Sequence, residues 1–516
     1  MARRILALRR PWAVLATAAA LAALILGTLA AVATFAGGLG GLGPWDWRAV
    51  WFTLWQAVAS ASLSALLAIP VARALARRRF PGRAVLVILL GAPFILPVIV
   101  AIMGLISVFG RTGALNGLVR SVGLPEISIY GWQGVILAHV FFNLPLAVRM
   151  ILQGWQAIPA ERFRLAESLD FAPADLARHL ERPMLRAVLP GVWLAIFLVC
   201  LTSFTVALAL GGGPRATTVE LAIYQAFRFD FDLGRAATLG LVQVGLCLAA
   251  LALASRVTLP SAFGAGLDAG HSPAAPRGWR RAGDAMAIGL AAGFLLWPMA
   301  AVTLRGLPRM AALSSDVWAA AGRSVAMALG SAGLTLVVAL VLALAMTRAG
   351  RARGWIEAAG MLPIVASPLV LGTGLYLILR RWAGPDDLAL PVTMAINAVM
   401  ALPFALRILI PAARVMEMDY GRLAASLDLR GWARLRVLVL PRLSGPLGFA
   451  GGLAAALAMG DLGVITLFAN DNPTLPLKLY QLMNAYRMED AAACAVLLMA
   501  ISFALFWGFD RMGRRA

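Results

Sequence analysis

The sequence predicts an all-α polytopic membrane protein with about twelve transmembrane helices in two homologous six-helix halves. Hydrophobic residues make up 61% of the 516 residues and charged residues only 13%, whereas a soluble globular chain has roughly 45–50% and about 25%. The apolar residues form runs close to the ~20 residues that a helix needs to cross a bilayer. One polar heptapeptide also occurs twice, which indicates an internal duplication.

The duplication is anchored by RLAESLD, Arg164 to Asp170, which recurs as RLAASLD, Arg422 to Asp428. The offset between the two copies is 422 − 164 = 258. Neighbouring landmarks keep this offset; they are Pro145 with Pro403, Arg149 with Arg407, and Pro183 with Pro441. Several landmarks at one offset indicate a repeat rather than a chance match.

The N-terminal half, residues 1–257, begins with four arginines and an apolar run that is longer than the core of a cleavable signal peptide. Six spans are expected at residues 12–35, 51–75, 85–109, 132–152, 188–210 and 236–254. Pro93 and Pro97 interrupt the third span. Residues 153–186 form a polar first insert, and residues 211–232 should lie at the membrane interface or dip into the bundle.

A linker rich in Gly, Ser, Pro and charge follows at residues 258–282. The C-terminal half, residues 283–516, repeats the order. Its spans are expected at residues 285–304, 317–346, 355–379, 389–410, 446–468 and 491–506, with a polar second insert at residues 411–442.

The distribution of basic residues predicts the orientation. Most of the 45 lysines and arginines fall in segments that share one side if both termini are inside. Positively charged loops favour the cytoplasm. The sequence therefore predicts an N-in/C-in topology with both inserts in the cytoplasm.

Residue types exclude several classes of function. The chain has one lysine, Lys478, and Leu477 precedes it, so a phosphate-binding loop ending in G-K-[ST] cannot be formed. The three cysteines and three histidines stand far apart, and no metal site is predicted. We expect no catalytic residues and no cofactor bound by this chain, which is therefore not expected to be an enzyme.

Each insert is expected to form two short helices at a membrane surface. In the first insert, Asp170 ends one helix and Pro173-Ala174-Asp175 starts the next, since proline is tolerated in a first turn. In the second, the turn lies at residues 428–431 and a helix follows from Trp432. An ordinary basic loop near lipid headgroups is the alternative, but the duplication favours a docking surface for a two-headed partner.

The inserts resemble the "EAA" loops of bacterial ABC importer permeases. Ala166 and Ala424 keep the last alanine of that pattern, whereas Asp170 and Asp428 stand where the family has glycine. Aspartate tolerates a left-handed turn better than most residues. Longer stretches in both halves, above all LGGGPRATTVELAIYQ, resemble the fused thiamine/thiamine pyrophosphate permease of Gram-negative bacteria.

This resemblance implies a fold like that of type I ABC importer permeases, located in the bacterial inner membrane. It implies a cytoplasmic ABC ATPase dimer, which would hold ATP and Mg, and a periplasmic thiamine-binding protein as partners, with no nucleic acid. The residues expected to dock the ATPase are Arg164, Ala166, Asp170, Pro173, Asp175, His179 and Pro183, with Arg422, Ala424, Asp428, Gly431, Trp432 and Pro441.

A translocation pathway is expected between the halves, along the fifth and eleventh spans. Asp461 is an acid within an apolar run, and intramembrane acids are candidate functional residues. The repeat offset sets it opposite Ser203, beside Phe204. A carboxylate and aromatic rings could ease the passage of the positive thiazolium of thiamine; the alternative is a structural hydrogen bond between packed helices.

Contacts with the binding protein are expected in the outer segments, at residues 211–232 and 469–490. The charged candidates there are Glu220, Asp230, Asp232, Asp471 and Lys478. Two alternatives stay open for the whole chain. An ion-coupled secondary transporter also has repeats and broken helices, but the cytoplasmic inserts have no role in it. A fused permease for ferric iron is the nearest related importer.

Overall fold

The helices and their order come from a computed structural model, which describes residues 11–36, 41–91, 95–254, 256, 278–347, 353–364, 366–468 and 471–515. The regular secondary structure of the described part is entirely helical, and turns and irregular segments connect the helices. Eleven segments are long and apolar enough to cross a membrane, and Pro368–Leu379 is a shorter apolar helix. The predicted all-α polytopic architecture is thereby confirmed.

The N-terminal half contains twelve α-helices in the described residues. They are α1 Pro11–Phe35, α2 Pro44–Arg77, α3 Arg83–Leu89, α4 Val98–Phe109, α5 Ala114–Ser121, α6 Trp132–Gln156, α7 Ala160–Ser168, α8 Pro173–Leu176, α9 Arg182–Leu201, α10 Thr205–Leu210, α11 Val219–Arg228 and α12 Leu233–Ala254. A π-helical turn spans Ala177–Glu181, and a 3₁₀ turn spans Pro214–Ala216.

The C-terminal half contains ten α-helices in the described residues. They are α13 Trp279–Gly306, α14 Ser315–Met346, α15 Arg353–Met361, α16 Pro368–Leu379, α17 Pro385–Ser426, α18 Gly431–Arg434, α19 Leu440–Met459, α20 Gly463–Phe468, α21 Leu475–Asn484 and α22 Met488–Arg515. A π-helical turn spans Leu435–Val439, and 3₁₀ turns span Leu307–Ala312 and Leu362–Ile364. Most of the predicted linker 258–282 lies outside the described residues.

Two predicted spans are each divided into two helices; the interruption was expected for the third span, whereas the ninth was expected to be continuous, and that expectation is wrong. The third, expected at residues 85–109, is divided into α3 and α4, and the ninth, expected at residues 355–379, is divided into α15 and α16. Pro97 precedes α4, and Pro368 is the first residue of α16. Proline lacks an amide hydrogen and is tolerated in a first helical turn, so each proline starts a new helix instead of continuing the old one.

The repeat extends over most of the described helices, but with two offsets. Helices α3 and α4 recur as α15 and α16 with an offset of 353 − 83 = 270. Helices α9 and α10 recur as α19 and α20 with an offset of 440 − 182 = 258. The offset changes between α4 and α6, where the N-terminal half carries the additional helix α5. The sequence landmarks, all at the smaller offset, did not reveal this.

The first helix of each half packs against the other half. A Cβ atom built on Gly104 of α4 would lie 2.7 Å from the Pro298 carbonyl oxygen of α13. A Cβ atom on Gly374 of α16 would lie 2.5 Å from the Thr28 carbonyl oxygen of α1. The two glycines are related by the larger repeat offset, and so are the two residues whose carbonyls they contact. The first helix of each half therefore makes the same contact with the opposite half. Glycine permits this close backbone approach because it has no side chain.

The two inserts lie at one end of the bundle. Glu181 of the first insert pairs with Arg77 at the end of α2, and the adjacent Arg78 pairs with Asp284 near the start of α13. In the C-terminal half, Gly513 near the end of α22 packs against Ser444 near the start of α19, which follows the second insert. Gly306 at the end of α13 packs against Ala492 at the start of α22. The far end therefore holds the α21–α22 connection and, at the other end of α6 from the first insert, the α5 segment.

Candidate functional site

The first short helix of each insert ends in the same left-handed turn. Asp170 has a φ of +48°, its N–H donates to the Glu167 carbonyl (3.2 Å), and the Phe171 N–H donates to the Ala166 carbonyl (3.0 Å). These two bonds form the Schellman pattern, which satisfies carbonyls at a helix end. The residue in the left-handed position is usually glycine, and aspartate is one of the few others that adopt it.

The second insert repeats this turn. Asp428 also has a φ of +48°, its N–H donates to the Ala425 carbonyl (3.2 Å), and the Leu429 N–H donates to the Ala424 carbonyl (2.9 Å). Asp428 additionally pairs with Arg430. The aspartates therefore preserve the turn in which the "EAA" pattern has glycine.

A π-helical turn follows in both inserts, at Ala177–Glu181 and at Leu435–Val439. The two turns occupy equivalent positions of the repeat. Pro183 and Pro441 are each the second residue of the next helix. A proline ring clashes with the carbonyl four residues earlier in an α-helix, and the wider π turn moves that carbonyl away. The duplicated prolines thus explain the duplicated turns.

Exposed side chains of the inserts recur at equivalent positions. Leu165 and Leu169 are 60% and 58% exposed, and their counterparts Leu423 and Leu427 are 55% and 63% exposed. Trp432 is exposed as well. Large exposed apolar side chains that recur at equivalent positions of a repeat favour a surface that another protein covers.

The predicted docking residues divide into exposed and buried groups. Ala166 and Ala424 are buried, so their part in docking would be indirect, through the turn that their carbonyls close. Asp175 accepts a hydrogen bond from the Ala172 N–H (3.1 Å) and caps α8. The exposed members are Arg164, Asp170, Pro173, His179, Pro183, Arg422, Asp428, Gly431, Trp432 and Pro441.

The first insert is fixed to α2 by ion pairs of the buried Glu181, with Arg77 largely buried and Arg73 partly exposed. Glu181, which is 6% exposed, pairs with Arg73 (Nη2 to Oε2, 2.9 Å) and with Arg77. Arg78, which follows Arg77 in the chain, pairs with Asp284 of α13 (2.7 Å). The first insert is therefore fixed by its last residues to α2, which in turn is paired with the other half.

The second insert is connected differently. Its Arg434 pairs with Glu417, and both residues belong to the insert. Helix α17 also continues without interruption for 42 residues into this insert, whereas α6 ends at Gln156 and α7 starts after Pro159. Glu417 is the counterpart of Pro159 at the smaller repeat offset. Where the first insert has a proline that precedes a new helix, the second has, within a continuous helix, a glutamate that pairs with Arg434.

The fifth and eleventh spans are both broken at equivalent positions. Helix α9 ends at Leu201 and α10 begins at Thr205. At the corresponding positions of the repeat, α19 ends at Met459 and α20 begins at Gly463. We refer to residues 202–204 as the first break and residues 460–462 as the second break. Broken helices free backbone groups in the membrane, which is tolerated only where other protein groups satisfy them or a cavity is lined.

The first break is capped by two glutamines. The Gln56 amide nitrogen donates to the Cys200 carbonyl (2.9 Å), and the Gln243 amide nitrogen donates to the Leu201 carbonyl (3.0 Å). Gln56 belongs to α2 and Gln243 to α12. Their side-chain oxygens are buried without a hydrogen-bond partner in the described part of the chain.

The second break is organised by Asp461, the acid predicted for the pathway. Its Oδ1 accepts a hydrogen bond from the Gly463 N–H (3.1 Å) at the start of α20. Its Oδ2 is buried and has no hydrogen-bond partner among the described residues. Asn397, the counterpart of His139, lies beside this carboxylate, and its amide nitrogen is also unpartnered within that described set.

The two breaks meet at the interface between the halves. The Phe204 Cδ1 atom lies 3.7 Å from the position of a Cβ built on Gly463, and the Pro97 Cα atom lies 3.1 Å from that on Gly460. Phe204, predicted for the pathway, is buried and belongs to the first break. Ser203 is half-buried beside it. The structure thus brings Phe204 close to Asp461.

Aromatic rings surround this junction. Phe204 contacts Tyr224 edge-on (5.4 Å between centroids). Phe227 contacts Tyr376 (5.0 Å) and Phe468 (6.4 Å) of the other half. Tyr224 and Phe227 lie on α11, which is buried along most of its length. Of the two positions expected for residues 211–232, the structure therefore favours the dip into the bundle.

Glu220 was expected to contact a binding protein from an outer loop, and that location is wrong for this conformation. Glu220 lies in the first turn of α11 and is 0% exposed. The segment is too polar for an apolar span and too apolar for a plain loop, and the contact with a binding protein was expected for its position at the interface. The interior of the bundle accommodates its polar residues instead.

The other predicted outer charges lie at or near the surface. Asp230 pairs with Arg235 (2.7 Å), and the Asp232 carboxylate accepts a hydrogen bond from the Arg235 N–H (2.9 Å) at the start of α12. Lys478 is half-buried and lies 3.7 Å from the Asp316 carboxylate. Asp471 is exposed.

Sequence reasoning missed Glu181, Gln56, Gln243 and Tyr224. A glutamate in the polar first insert gave no signal of its own, since the insert contains other acids. The glutamines did carry a signal, because an amide inside an apolar run requires a partner. The identity of that partner depended on the tertiary fold.

Comparisons with known proteins place the chain among transport proteins. No protein-family profile matches the chain. It is 42% identical to the thiamine transport system permease protein ThiP of Salmonella typhimurium, over 91% of this chain and 90% of the relative. The corresponding protein of Escherichia coli is 41% identical over 91% of both chains, and that of Haemophilus influenzae is 35% identical over 90% of both.

These identities extend over nearly the whole length of both partners and therefore include the inserts, both breaks and all the spans between them. Together with the eleven apolar helices, they identify a multi-pass protein of the bacterial inner membrane. The chain belongs to the family of thiamine transport system permease proteins.

Proposed function

We propose that this chain is the membrane-spanning subunit of an ATP-driven importer that moves thiamine across the inner membrane by alternating access. The observation that carries the proposal is the identity of 42% over 91% of the chain to a thiamine transport permease. The relatives' names favour neither of the alternatives, the ferric iron permease and the ion-coupled transporter. Phosphorylated forms of thiamine belong to the same proposal.

Energy would come from a separate ATPase dimer in the cytoplasm, to which both inserts dock. Support comes from the duplicated turn, with its exposed leucines at residues 165, 169, 423 and 427. Removing such a side chain from water stabilises a complex by about 1.5–3 kcal/mol. The N-in/C-in orientation, favoured by the basic residues, would place the inserts on the required side.

Closure of the ATPase dimer would move the two inserts together and rotate the halves about their interface. Such a rigid-body change is driven by contacts that differ between the two states. The reciprocal packing of α1 and α13 against the opposite half would hold the halves together during the rotation. A periplasmic thiamine-binding protein would deliver substrate at the far end of the bundle, near Asp230, Asp232, Asp471 and Lys478.

The test is reconstitution of this chain in liposomes with its candidate ATPase and a thiamine-binding protein. We expect thiamine to accumulate inside and to stimulate ATP hydrolysis. Ferric iron with an iron-binding protein provides the second arm, and thiamine pyrophosphate the third. Stimulation by iron alone would replace the substrate and keep the docking mechanism. Uptake that follows an ion gradient without ATPase association would contradict the importer.

A further inference from the structure

A second buried carboxylate lies at the interface between the halves, at the first break. Glu220 is fully buried, and both of its carboxylate oxygens lack a hydrogen-bond partner among the described residues. The Ser367 hydroxyl of the other half lies near it. This hydroxyl accepts a hydrogen bond from the Val370 N–H (3.1 Å) as the cap of α16 and keeps its own O–H as a donor, so Glu220 has at most one partner there for its two oxygens. A carboxylate buried in this way is costly to maintain, and such acids in membrane proteins indicate function.

Glu220 lies near the first break, as Asp461 lies at the second, although the two residues are not counterparts in the repeat. Ser367 is the counterpart of Pro97 at the larger repeat offset, and Pro97 packs against Gly460 at the second break. Cys247 of α12 lies near Glu220, one turn from Gln243, which caps the first break. Each break therefore has one buried, incompletely partnered carboxylate, although different elements supply them.

Aromatic rings connect the two carboxylates. Tyr224 follows Glu220 by one helical turn on α11, so both side chains lie on the same face of that helix. The Tyr224 ring contacts Phe204 (5.4 Å between centroids), and Phe204 lies against Gly463, whose N–H binds Asp461. Across the interface, the Glu220 carboxylate is thus followed by the Tyr224 ring, the Phe204 ring and the Asp461 carboxylate.

We propose that Glu220 and Tyr224, together with Phe204 and Asp461, form a pathway for an organic cation between the two breaks. This inference rests on the proposed function, since its ligand is the positively charged thiazolium of thiamine. An organic cation is attracted both to a carboxylate and to the face of an aromatic ring. When the halves separate, the cation would pair with Glu220. It would then move along Tyr224 and Phe204 and leave past Asp461.

A pathway role and a structural role predict opposite effects on stability. If Glu220 stabilised the fold, its replacement would lower the melting temperature. If the acid is kept to pair with a passing cation, Glu220→Gln removes the cost of burying an incompletely partnered acidic group. Glu220→Gln should therefore keep or raise the melting temperature of the purified transporter while it lowers thiamine uptake.

The experiment measures thiamine uptake into liposomes that contain this chain, its ATPase and the thiamine-binding protein. We expect Glu220→Gln to reduce uptake at least ten-fold and Glu220→Asp, which keeps the charge, to reduce it less than three-fold. Tyr224→Leu should also reduce uptake, whereas Tyr224→Phe, which keeps the ring face, should not. Ser64→Ala is the control, because the Ser64 hydroxyl is also buried with no partner in the described residues and lies two helical turns beyond Gln56 along α2.

Uptake by Glu220→Gln at the wild-type rate would overturn the inference, as would a loss of uptake that is accompanied by a lower melting temperature. Failure of Glu220→Asp to restore uptake, with Tyr224→Leu fully active, would also overturn it. If the wild-type transporter itself does not take up thiamine, the proposed function fails first. The two failures are therefore distinguishable.

Discussion

The two inserts have the same local structure but different connections to the rest of the chain. Both contain the left-handed aspartate turn and the π turn before a proline. Glu181 fixes the first insert to Arg73 and Arg77 of α2, whereas Glu417 fixes the second insert to its own Arg434. The repeat therefore preserves the local structure of the inserts more strictly than their connections to the rest of the bundle.

This difference suggests how each insert would transmit a movement. The first insert would pull on α2 through the ion pairs of Glu181 with Arg73 and Arg77, because the end of α6 at Gln156 interrupts the helix that leads into this insert. The second insert would pull on α17 through a continuous helix of 42 residues. Such a helix is about 63 Å long, about twice the ~30 Å of the bilayer core, so it can act as a lever.

The largest expected effect follows from removal of the Glu181 carboxylate, which pairs with Arg73 and Arg77 of α2. Glu181→Gln leaves Arg73 and Arg77 without their carboxylate. Breaking a buried ion pair by removing one partner costs about 3–5 kcal/mol. We expect this loss in the free energy of unfolding in mixed micelles, together with ATP hydrolysis that no longer responds to substrate. A loss below about 1 kcal/mol, the size expected for an exposed pair, would contradict the anchor.

A smaller effect is expected for the second anchor. Glu417→Gln removes a charged partner of Arg434, and both side chains are less than one-fifth exposed. Hydrogen bonds to charged groups contribute about 1.5–3 kcal/mol. Because α17 is continuous, we expect substrate-stimulated ATP hydrolysis to persist in this variant. If Glu417→Gln uncouples transport as completely as Glu181→Gln, the proposed difference between the inserts is wrong.

The aspartate turns should respond similarly in the two inserts, apart from an ion pair that only the second one has. Asp170→Ala and Asp428→Ala place a non-glycine residue without a compensating side chain in a left-handed conformation, which costs roughly 1–2 kcal/mol. Asp170→Gly and Asp428→Gly are the matched controls, and we expect them to be close to wild type in thermal unfolding. The exposed pair between Asp428 and Arg430 adds about 0–1 kcal/mol to the second site.

The smallest effect on stability is expected from the exposed leucines. Leu169→Ala and Leu427→Ala remove apolar side chains from a surface that faces water in the isolated chain, so the free energy of unfolding should change by about 0.5 kcal/mol or less. Association with the ATPase should weaken in both variants, as measured by co-purification. Unchanged association in both would show that these leucines do not belong to the docking surface.

Much of the fold could be predicted from the sequence, because helices in a bilayer must satisfy their own backbone and therefore show as long apolar runs. Asp170 and Asp428 were recognisable as turn residues because their backbone preferences are local, and Pro183 and Pro441 were recognisable as landmarks because the repeat pairs them. Asp461 was recognisable because a charge inside an apolar run is rare. Each of these signals is contained in a few consecutive residues.

The tertiary structure decided what lies next to each of these groups. The sequence by itself determined the membrane class, the duplication, the turns and the lack of a phosphate-binding loop. Only the fold showed that Glu220 is buried, that Glu181 reaches α2, and that Phe204 meets the second break. The physical reason is that apolarity and backbone preference belong to single residues and short segments, whereas burial and pairing depend on partners that lie far away along the chain.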